Sequence, residues 1–228
     1  MVTLNNIKKS FGDTVVFDGL SLEFQSNTTT AILGESGCGK TTLLKIIAKT
    51  IEPDCGEVFS PDKISFVFQD DRLLPNLTVQ QNLQLVAGKG DFDELLESVG
   101  LLAKKYAYPD ELSGGMARRL NFLRAFVYPS ALVLLDEPFR GLDLKIKYSV
   151  MDTFATLMQK YPRTAILVTH SPDEAEYLAS RAVVLSSNGS ILTDIKNPKA
   201  QDLKKILISG LAVNSTAESK RKAVENGD

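Results

Sequence analysis

Residues 34–41, Gly-Glu-Ser-Gly-Cys-Gly-Lys-Thr, carry the spacing G-x-x-x-x-G-K-[ST]. Gly34, Gly37 and Gly39 let the backbone wrap closely, so that its amides point inward at phosphate oxygens. Lys40 supplies a point charge for the β and γ phosphates, and the Thr41 hydroxyl is a hard ligand suited to Mg²⁺. A second chemical pair stands at Asp136-Glu137, directly after the apolar run Leu132-Val-Leu-Leu135. Asp136 is placed to hold the Mg²⁺ shell, and Glu137 to accept a proton from an attacking water. A third feature, Leu112-Ser-Gly-Gly-Met116, precedes a helical pattern. Its Ser and Gly residues fit a helix cap, and they equally fit a second phosphate-binding helix terminus.

These groups need a scaffold of a particular kind. Thr28–Leu33 reads as a buried strand ended by Gly34, and Lys40–Ala48 as a helix with a strongly apolar face. The strand–loop–helix order is the one that aims a helix N-terminus at phosphate. Phe17–Phe24 alternates apolar and polar residues from Leu20 on, as a half-buried strand does. Glu57–Phe59 and Ile64–Phe68 are short strands around a Ser-Pro-Asp turn. Helical patterns follow at Val79–Ala87, Phe92–Leu102 and Ser113–Phe126. Leu132–Leu135 and Ala165–Thr169 are continuous apolar runs, as parallel strands buried on both faces require. Helices are expected at Asp143–Tyr161 and Pro172–Ser180, then a hairpin of Ala182–Leu185 and Ser190–Leu192 around Asn188-Gly189. The polar tail from about Asn214 is expected to fray. The layout predicts an α/β domain over 1–228 with a mostly parallel sheet and a helical lobe inserted at about 72–128.

Composition narrows the function classes. The 228 residues carry 26 Lys+Arg against 28 Asp+Glu, 43% hydrophobic and 24% charged residues, the profile of an ordinary globular protein. The net charge of −2 argues against nucleic-acid binding by bulk charge. No apolar run approaches the roughly 20 residues of a membrane span, and no signal peptide is visible. Cys38 and Cys55 are too few for a disulfide framework, which suggests a reducing compartment, and the one histidine excludes a multi-histidine metal site.

The phosphate loop, Gln69, Leu-Ser-Gly-Gly, Asp-Glu-Pro and His170, in this order, resemble the ATP-binding subunit of ABC transporters over about residues 2 to 210. The resemblance implies a P-loop NTPase core of RecA-like type, an N-terminal antiparallel β subdomain and an inserted helical subdomain. It implies ATP and Mg²⁺ as ligands. Phe11 matches the aromatic residue that stacks on adenine, and Val16 the aliphatic residue beside it. Ser36, Cys38 and Thr42 fall among the phosphate-loop contacts. Gln69 matches the glutamine that reaches Mg²⁺ and water, so the metal set becomes Thr41, Gln69 and Asp136, the last through water. Ser113, Gly114 and Gly115 match the signature that meets ATP held by a partner subunit. Asp143 matches an aspartate at the dimer interface, and His170 the histidine that contacts the γ phosphate, with Glu137 as base.

The family's mechanism implies an ATP-sandwiched dimer, of this chain or with a related ATPase subunit. It docks on an integral membrane permease at the cytoplasmic face of the cell membrane, and a solute-binding protein takes part indirectly. The segment Gln69-Asp-Asp-Arg-Leu-Leu-Pro-Asn-Leu-Thr-Val79 resembles bacterial importers for nitrate, sulfonate, taurine and similar small solutes, and thiamine-precursor importers. Asn76, Arg118 and Arg140 depart from that branch's usual residues. No in-chain regulatory domain is expected after the terminal hairpin. The alternative reading is a non-transport ABC ATPase acting on nucleic acid or ribosomes, although the chain carries no coiled-coil insertion of the repair type.

Overall fold

The computed structural model describes residues 1–68, 70 and 72–209. The chain divides into two compact units: Met1–Phe24, Thr29–Ser60 and Leu167–Asp228 form one, Gln25–Thr28 and Pro61–Ile166 the other. The α/β class expected from the alternating patterns is what forms.

The first unit starts with β1 (Val2–Phe11) and β2 (Thr14–Phe24), an antiparallel pair turning at Gly12-Asp13. β4 (Cys55–Phe59) adds on the other side of β1. Val2, Leu4 and Ile7 of β1 are buried, which breaks strict alternation. The cause is a register shift between Leu4 and Ile7, where Asn6 takes a left-handed φ of 50°.

β3 (Thr29–Gly34) is buried along its whole length and pairs in parallel with β8 (Arg181–Leu185), from Thr30↔Arg181 to Gly34↔Leu185. β9 (Ile191–Lys196) closes an antiparallel hairpin on β8 and is longer than the expected Ser190–Leu192. Pairing carries it on: Arg181 grips Asp194 through two hydrogen bonds, Nε–Oδ1 at 2.7 Å and Nη2–Oδ2 at 2.5 Å. α1 (Lys40–Ile47) follows β3, and α6 (Pro172–Leu178) precedes β8. Ala175 and Ala179 pack with Leu203, from the helical stretch 200–209, against Ala31, Leu33, Ala182 and Val184. The small alanines let helix and sheet approach closely. The tail expected to fray from 214 lies outside the described residues.

In the second unit β5 (Ile64–Val67) pairs in parallel with β6 (Leu132–Asp136). The six-stranded order is β5-β6-β7-β3-β8-β9, with β7 spanning Thr164–Val168; the β5–β6 and β3–β8 pairs are parallel, as expected, and β8–β9 is antiparallel. α2 (Val79–Ala87) begins with a capping box between Thr78 and Gln81. α3 (Asp93–Ser98) is shorter than the expected Phe92–Leu102. Gly100, at φ +69°, ends it in a Schellman motif, with Leu101 N–H bonded to Leu96 C=O at 2.7 Å. A 3₁₀ turn at Leu102–Lys104 follows.

α4 (Gly114–Val127) and α5 (Leu144–Lys160) enclose an aromatic core. Phe122 stacks on Phe139 at 5.7 Å and meets Phe154 at 5.6 Å, and each such buried ring contributes roughly 1.5–3 kcal/mol. Arg163 clamps the C-terminal turn of α4, donating to the carbonyls of Ala125, Phe126 and Tyr128 and to Ser130 Oγ.

Candidate functional site

The phosphate loop leaves β3 and opens α1 within the first unit. Gly39 sits at the N-cap of α1 at φ +97° and makes no side-chain cap; the first turn holds no acidic residue. A Cβ on Gly39 would lie 2.5 Å from Val16 Cγ1 and 2.8 Å from Phe17 Cζ, so only glycine lets the loop rest on β2. Beside Gly37 the space within 4 Å is open. Lys40 is 8% exposed, and its ammonium donates to the carbonyls of Gly34 (2.8 Å) and Glu35 (2.7 Å). A side chain bridging its own loop in this way holds the loop's curvature. Cys38 is buried 3.8 Å from that ammonium. Burial pushes its thiol pKa up against the opposing pull of Lys40, so it stays protonated near neutral pH.

An uncapped helix N-terminus, a buried lysine and an open glycine bend form a set of donors, which fits a polyanionic triphosphate. Thr41 and Ser36 are exposed at the loop and Thr42 is half-buried. The Thr41 hydroxyl and the Asp136 carboxylate are hard oxygen donors of the kind Mg²⁺ takes together with phosphates and water. Phe11, at the end of β1, is 50% exposed, and Lys9 Nζ lies 5.3 Å from its ring centroid. Val16 is half-buried on β2.

His170 is exposed two residues past the end of β7. Its neighbours are fixed: the Thr169 N–H donates to Ile32 C=O at 3.1 Å, and Thr169 Oγ1 donates to the buried Glu174 carboxylate and accepts from Ser171 N–H at 3.0 Å.

In the second unit Asp136 ends β6 and is half-buried. Glu137 follows in a left-handed conformation, φ 50°, at the head of a turn closed by Arg140 N–H on its carbonyl at 3.2 Å. That backbone is costly for a residue with a Cβ and marks the position as one held by its surroundings. Ser113 caps α4, its Oγ accepting from Met116 N–H at 3.4 Å. Gly114 is exposed with open space beside it, whereas Gly115 is buried, 2.8 Å from where Ile146 Cγ2 would meet a Cβ. The cap and the exposed helix start thus occur together. Asp143 is the N-cap of α5, accepting from Ile146 N–H at 3.0 Å, and remains exposed.

Gln69 lies outside the described residues. Two buried polar residues bond described residues on either side of it, and no local sequence pattern announces their partners. Arg118, one of the departures, is buried and donates to Phe68 C=O at 3.1 Å. Asn82, fully buried on α2, bonds both the N–H and the C=O of Leu74 and the carbonyls of Leu77 and Thr78. Glu174 is a further buried polar residue with no local sequence signal. Asn76 and Arg140, the other departures, are exposed.

Residues 17–140 match the family model described as ABC transporter. An aliphatic sulfonates import ATP-binding protein of Paraburkholderia xenovorans is 38% identical over 220 residues, covering 94% of this chain and 89% of that protein. A protein of the same name from Pseudomonas savastanoi pv. phaseolicola is 38% identical over 192 residues, 82% of this chain and 81% of that protein. Among solved structures, the ADP conformation of an ABC transporter cassette superposes with a TM-score of 0.80 at 21% identity, covering 93% of this chain and 98% of the other. A dimeric bacterial ABC transporter cassette superposes with a TM-score of 0.72 at 27% identity, covering 86% and 99%.

Proposed function

The chain belongs to the ABC transporter family of ATP-binding proteins, and from that premise we propose that it is the ATP-hydrolysing subunit that energises a bacterial importer for a small solute. The observation that carries this reading is the pairing, on one chain, of an uncapped, lysine-bearing phosphate loop with a helix start at which Ser113 and Gly114 are exposed. One binds a triphosphate; the other offers a second set of amides to a triphosphate held elsewhere.

The roles follow from the chemistry. Gly34, Ser36, Gly37, Cys38, Gly39, Lys40, Thr41 and Thr42 bind the phosphates, and Phe11 with Val16 receives the adenine. Base–aromatic stacking contributes about 1–3 kcal/mol in single-strand binders. Bound Mg²⁺ neutralises developing charge on the phosphates, and Thr41, Gln69 and Asp136 are the residues that would hold it, Asp136 through water. Glu137 takes the proton of the attacking water, and His170 with Gln69 orients that water at the γ phosphate.

Ser113, Gly114 and Gly115 act in trans, so two copies, or this chain and a related one, close around ATP with Asp143 at their interface. The dimeric relative of known structure supports this arrangement. Among the described residues no helix is long and apolar enough to cross a membrane; in this reading the channel is a separate permease, at whose cytoplasmic face the chain works as a peripheral subunit. Closure on ATP drives the permease and hydrolysis resets it. The relatives named for aliphatic sulfonate import make a sulfonate-type solute the first to test, delivered by a solute-binding protein.

The test is purification of the chain with its permease from native membranes, followed by ATPase assay in vesicles with sulfonate present and absent. ATP hydrolysis that Lys40→Ala abolishes, together with a co-purifying permease, supports the reading. Recovery with ribosomes or RNA alone refutes it.

A further inference from the structure

β1 and β2 reach beyond the end of β4. The last step of the β1–β4 ladder sets Cys55 opposite Lys8, whereas the β1–β2 pairing runs on through Ser10↔Val15 to Phe11↔Thr14. Residues 9–16 therefore stand as a two-stranded ribbon, and a lone hairpin of that kind is marginally stable in water. This ribbon carries Phe11, 50% exposed, and Val16. Its pairing skips a residue: Lys9 faces Phe17 and Ser10 faces Val15, which leaves Val16 as the extra residue of a bulge. A bulge re-aims the side chain it carries, so the aim of Val16 depends on how the backbone at Lys9 and Ser10 is held.

Asp54 holds that backbone. It directly precedes β4, and its N–H donates to Lys8 C=O at 2.8 Å. Its carboxylate spans the step where β4 gives out: Oδ2 accepts from Ser10 N–H at 2.7 Å and Oδ1 from Lys9 Nζ at 2.6 Å. One side chain thus replaces the missing third strand at the position of the bulge. The Lys9 ammonium and the Ser10 N–H hold the Asp54 carboxyl below the usual carboxylate range, so it is ionised at neutral pH. Lys9 and Phe11 lie on one face of β1, and the ammonium stands 5.3 Å from the ring centroid. That ammonium is shared between the carboxylate that fixes it and the ring beside it.

Asp54 is also tied to the phosphate loop. Residues 48–53 join it to the end of α1, and their course is set where Thr50 N–H and Thr50 Oγ1 both bond Lys45 C=O, at 2.9 and 3.0 Å. α1 is the helix that Lys40 opens. The ribbon and the phosphate-binding helix are thus linked through this carboxylate as well as through the close approach of Val16 to Gly39. An ion pair with a partner as exposed as Asp54, at 45%, adds little to stability, so the arrangement calls for another reason.

We infer that Asp54 is a positioning residue for the nucleotide base, its carboxylate locking Lys9 and Ser10 so that Phe11 and Val16 present one stacking face at a set place relative to the phosphate loop. The inference rests on the reading that Phe11 and Val16 receive adenine, and it adds what aims them. Stacking depends on offset and tilt, so a ribbon end free to twist loses affinity for the base while the phosphates bind as before. Asparagine is no substitute: its one acceptor oxygen serves the Ser10 N–H, and its amide hydrogens then meet the Lys9 ammonium.

The test titrates the full purified chain with ADP and, as a base-free probe, with inorganic pyrophosphate, by isothermal titration calorimetry in the presence of Mg²⁺. Phe11→Ala is expected to weaken ADP binding about tenfold and Asp54→Ala about fivefold, both leaving pyrophosphate affinity unchanged. In the Phe11→Ala background, Asp54→Ala should cost little more, because the ring it aims is gone. Asp54→Asn and Lys9→Met both leave the Ser10 N–H an acceptor. Each is expected to weaken ADP about two- to threefold at the wild-type Tm, and they carry the test if Asp54→Ala folds poorly. If Phe11→Ala weakens ADP but the Asp54 and Lys9 variants do not, or if these weaken ADP and pyrophosphate alike, the inference is overturned and the adenine reading stands. An unchanged ADP affinity in Phe11→Ala overturns both.

Discussion

The Thr169 hydroxyl donates to the buried carboxylate of Glu174 and accepts from the N–H of Ser171, so hydrogen bonds hold the chain on both sides of His170. Residue 169 is also tied to β3 through Ile32 C=O. A histidine acting at a γ phosphate needs a fixed approach, since small misplacements of a reacting group are expensive. On the role proposed for His170, Thr169 and Glu174 would act as positioning residues. Thr169→Val removes the hydroxyl at nearly constant shape. Its kcat for ATP is expected to fall about tenfold, equivalent to about 1.4 kcal/mol, with KM unchanged. Thr169→Ser, which retains the hydroxyl, should restore most of the rate. A parallel loss in KM would point instead to a disturbed phosphate loop.

Glu137 carries the second prediction, because its backbone is left-handed. That conformation costs a residue with a Cβ roughly 1–2 kcal/mol, and glycine adopts it freely. Glu137→Gly should unfold at the same temperature as wild type or slightly above, yet lose hydrolysis. Glu137→Gln should bind ATP, fail to turn it over and accumulate as an ATP-bound dimer in size-exclusion chromatography with Mg²⁺. A Glu137→Gln chain that stays monomeric under those conditions would falsify the sandwich arrangement.

What could be read from sequence was what chemistry writes locally. The phosphate loop, β3 and α1 follow from glycine spacing and an apolar run, and the structure places Lys40 at the head of α1. β6 ending at Asp136 was legible for the same reason. β1 was obscured because the bulge at Asn6 breaks the two-residue period. The helix expected over 92–102 was overextended because the apolar pattern runs through Gly100, whose left-handed φ stops it. The partners of Asn82, Arg118, Thr169 and Glu174 were invisible for another reason. Buried polar residues have partners set by tertiary approach, and no periodicity announces them.

Arg163 supports the signature helix from its far end. Its guanidinium satisfies three carbonyls at the end of α4, the closest being Phe126 C=O at 2.6 Å, while Ser65 Oγ supplies a further donor to Ala125 C=O at 2.7 Å. Arg163→Met strands the Phe126 carbonyl and takes one donor from Tyr128 C=O, while Ala125 C=O keeps Ser65 Oγ. A loss of about 2–3 kcal/mol is expected, or roughly 4–12 °C in Tm for a chain of this size. Arg163→Lys should recover only part, because a point ammonium lacks the planar fork that reaches several acceptors at once. Differential scanning calorimetry of the three proteins checks both statements.

Gly189 ties a distant turn to nucleotide binding. It lies in the β8–β9 turn at φ +74°, and a Cβ there would sit 2.0 Å from the Val16 carbonyl oxygen and 2.8 Å from Phe17 Cδ1. No rotamer relieves a backbone contact of that length, so Gly189→Ala must move either the turn or β2. Moving β2 shifts Val16, whose Cγ1 stands 2.5 Å from where a Cβ on Gly39 would lie, at the head of α1. The substitution is therefore expected to weaken ATP binding about tenfold or more, as well as lowering Tm, although it lies outside every nucleotide motif. Gly12→Ala is the control: its φ of +56° is equally left-handed, but nothing stands within 4 Å of the added carbon. That variant carries only the conformational cost of about 1 kcal/mol and should bind ATP as wild type does. Equal ATP affinities for Gly189→Ala and Gly12→Ala, measured by isothermal titration calorimetry, would show that the Val16 contact does not transmit to the phosphate loop.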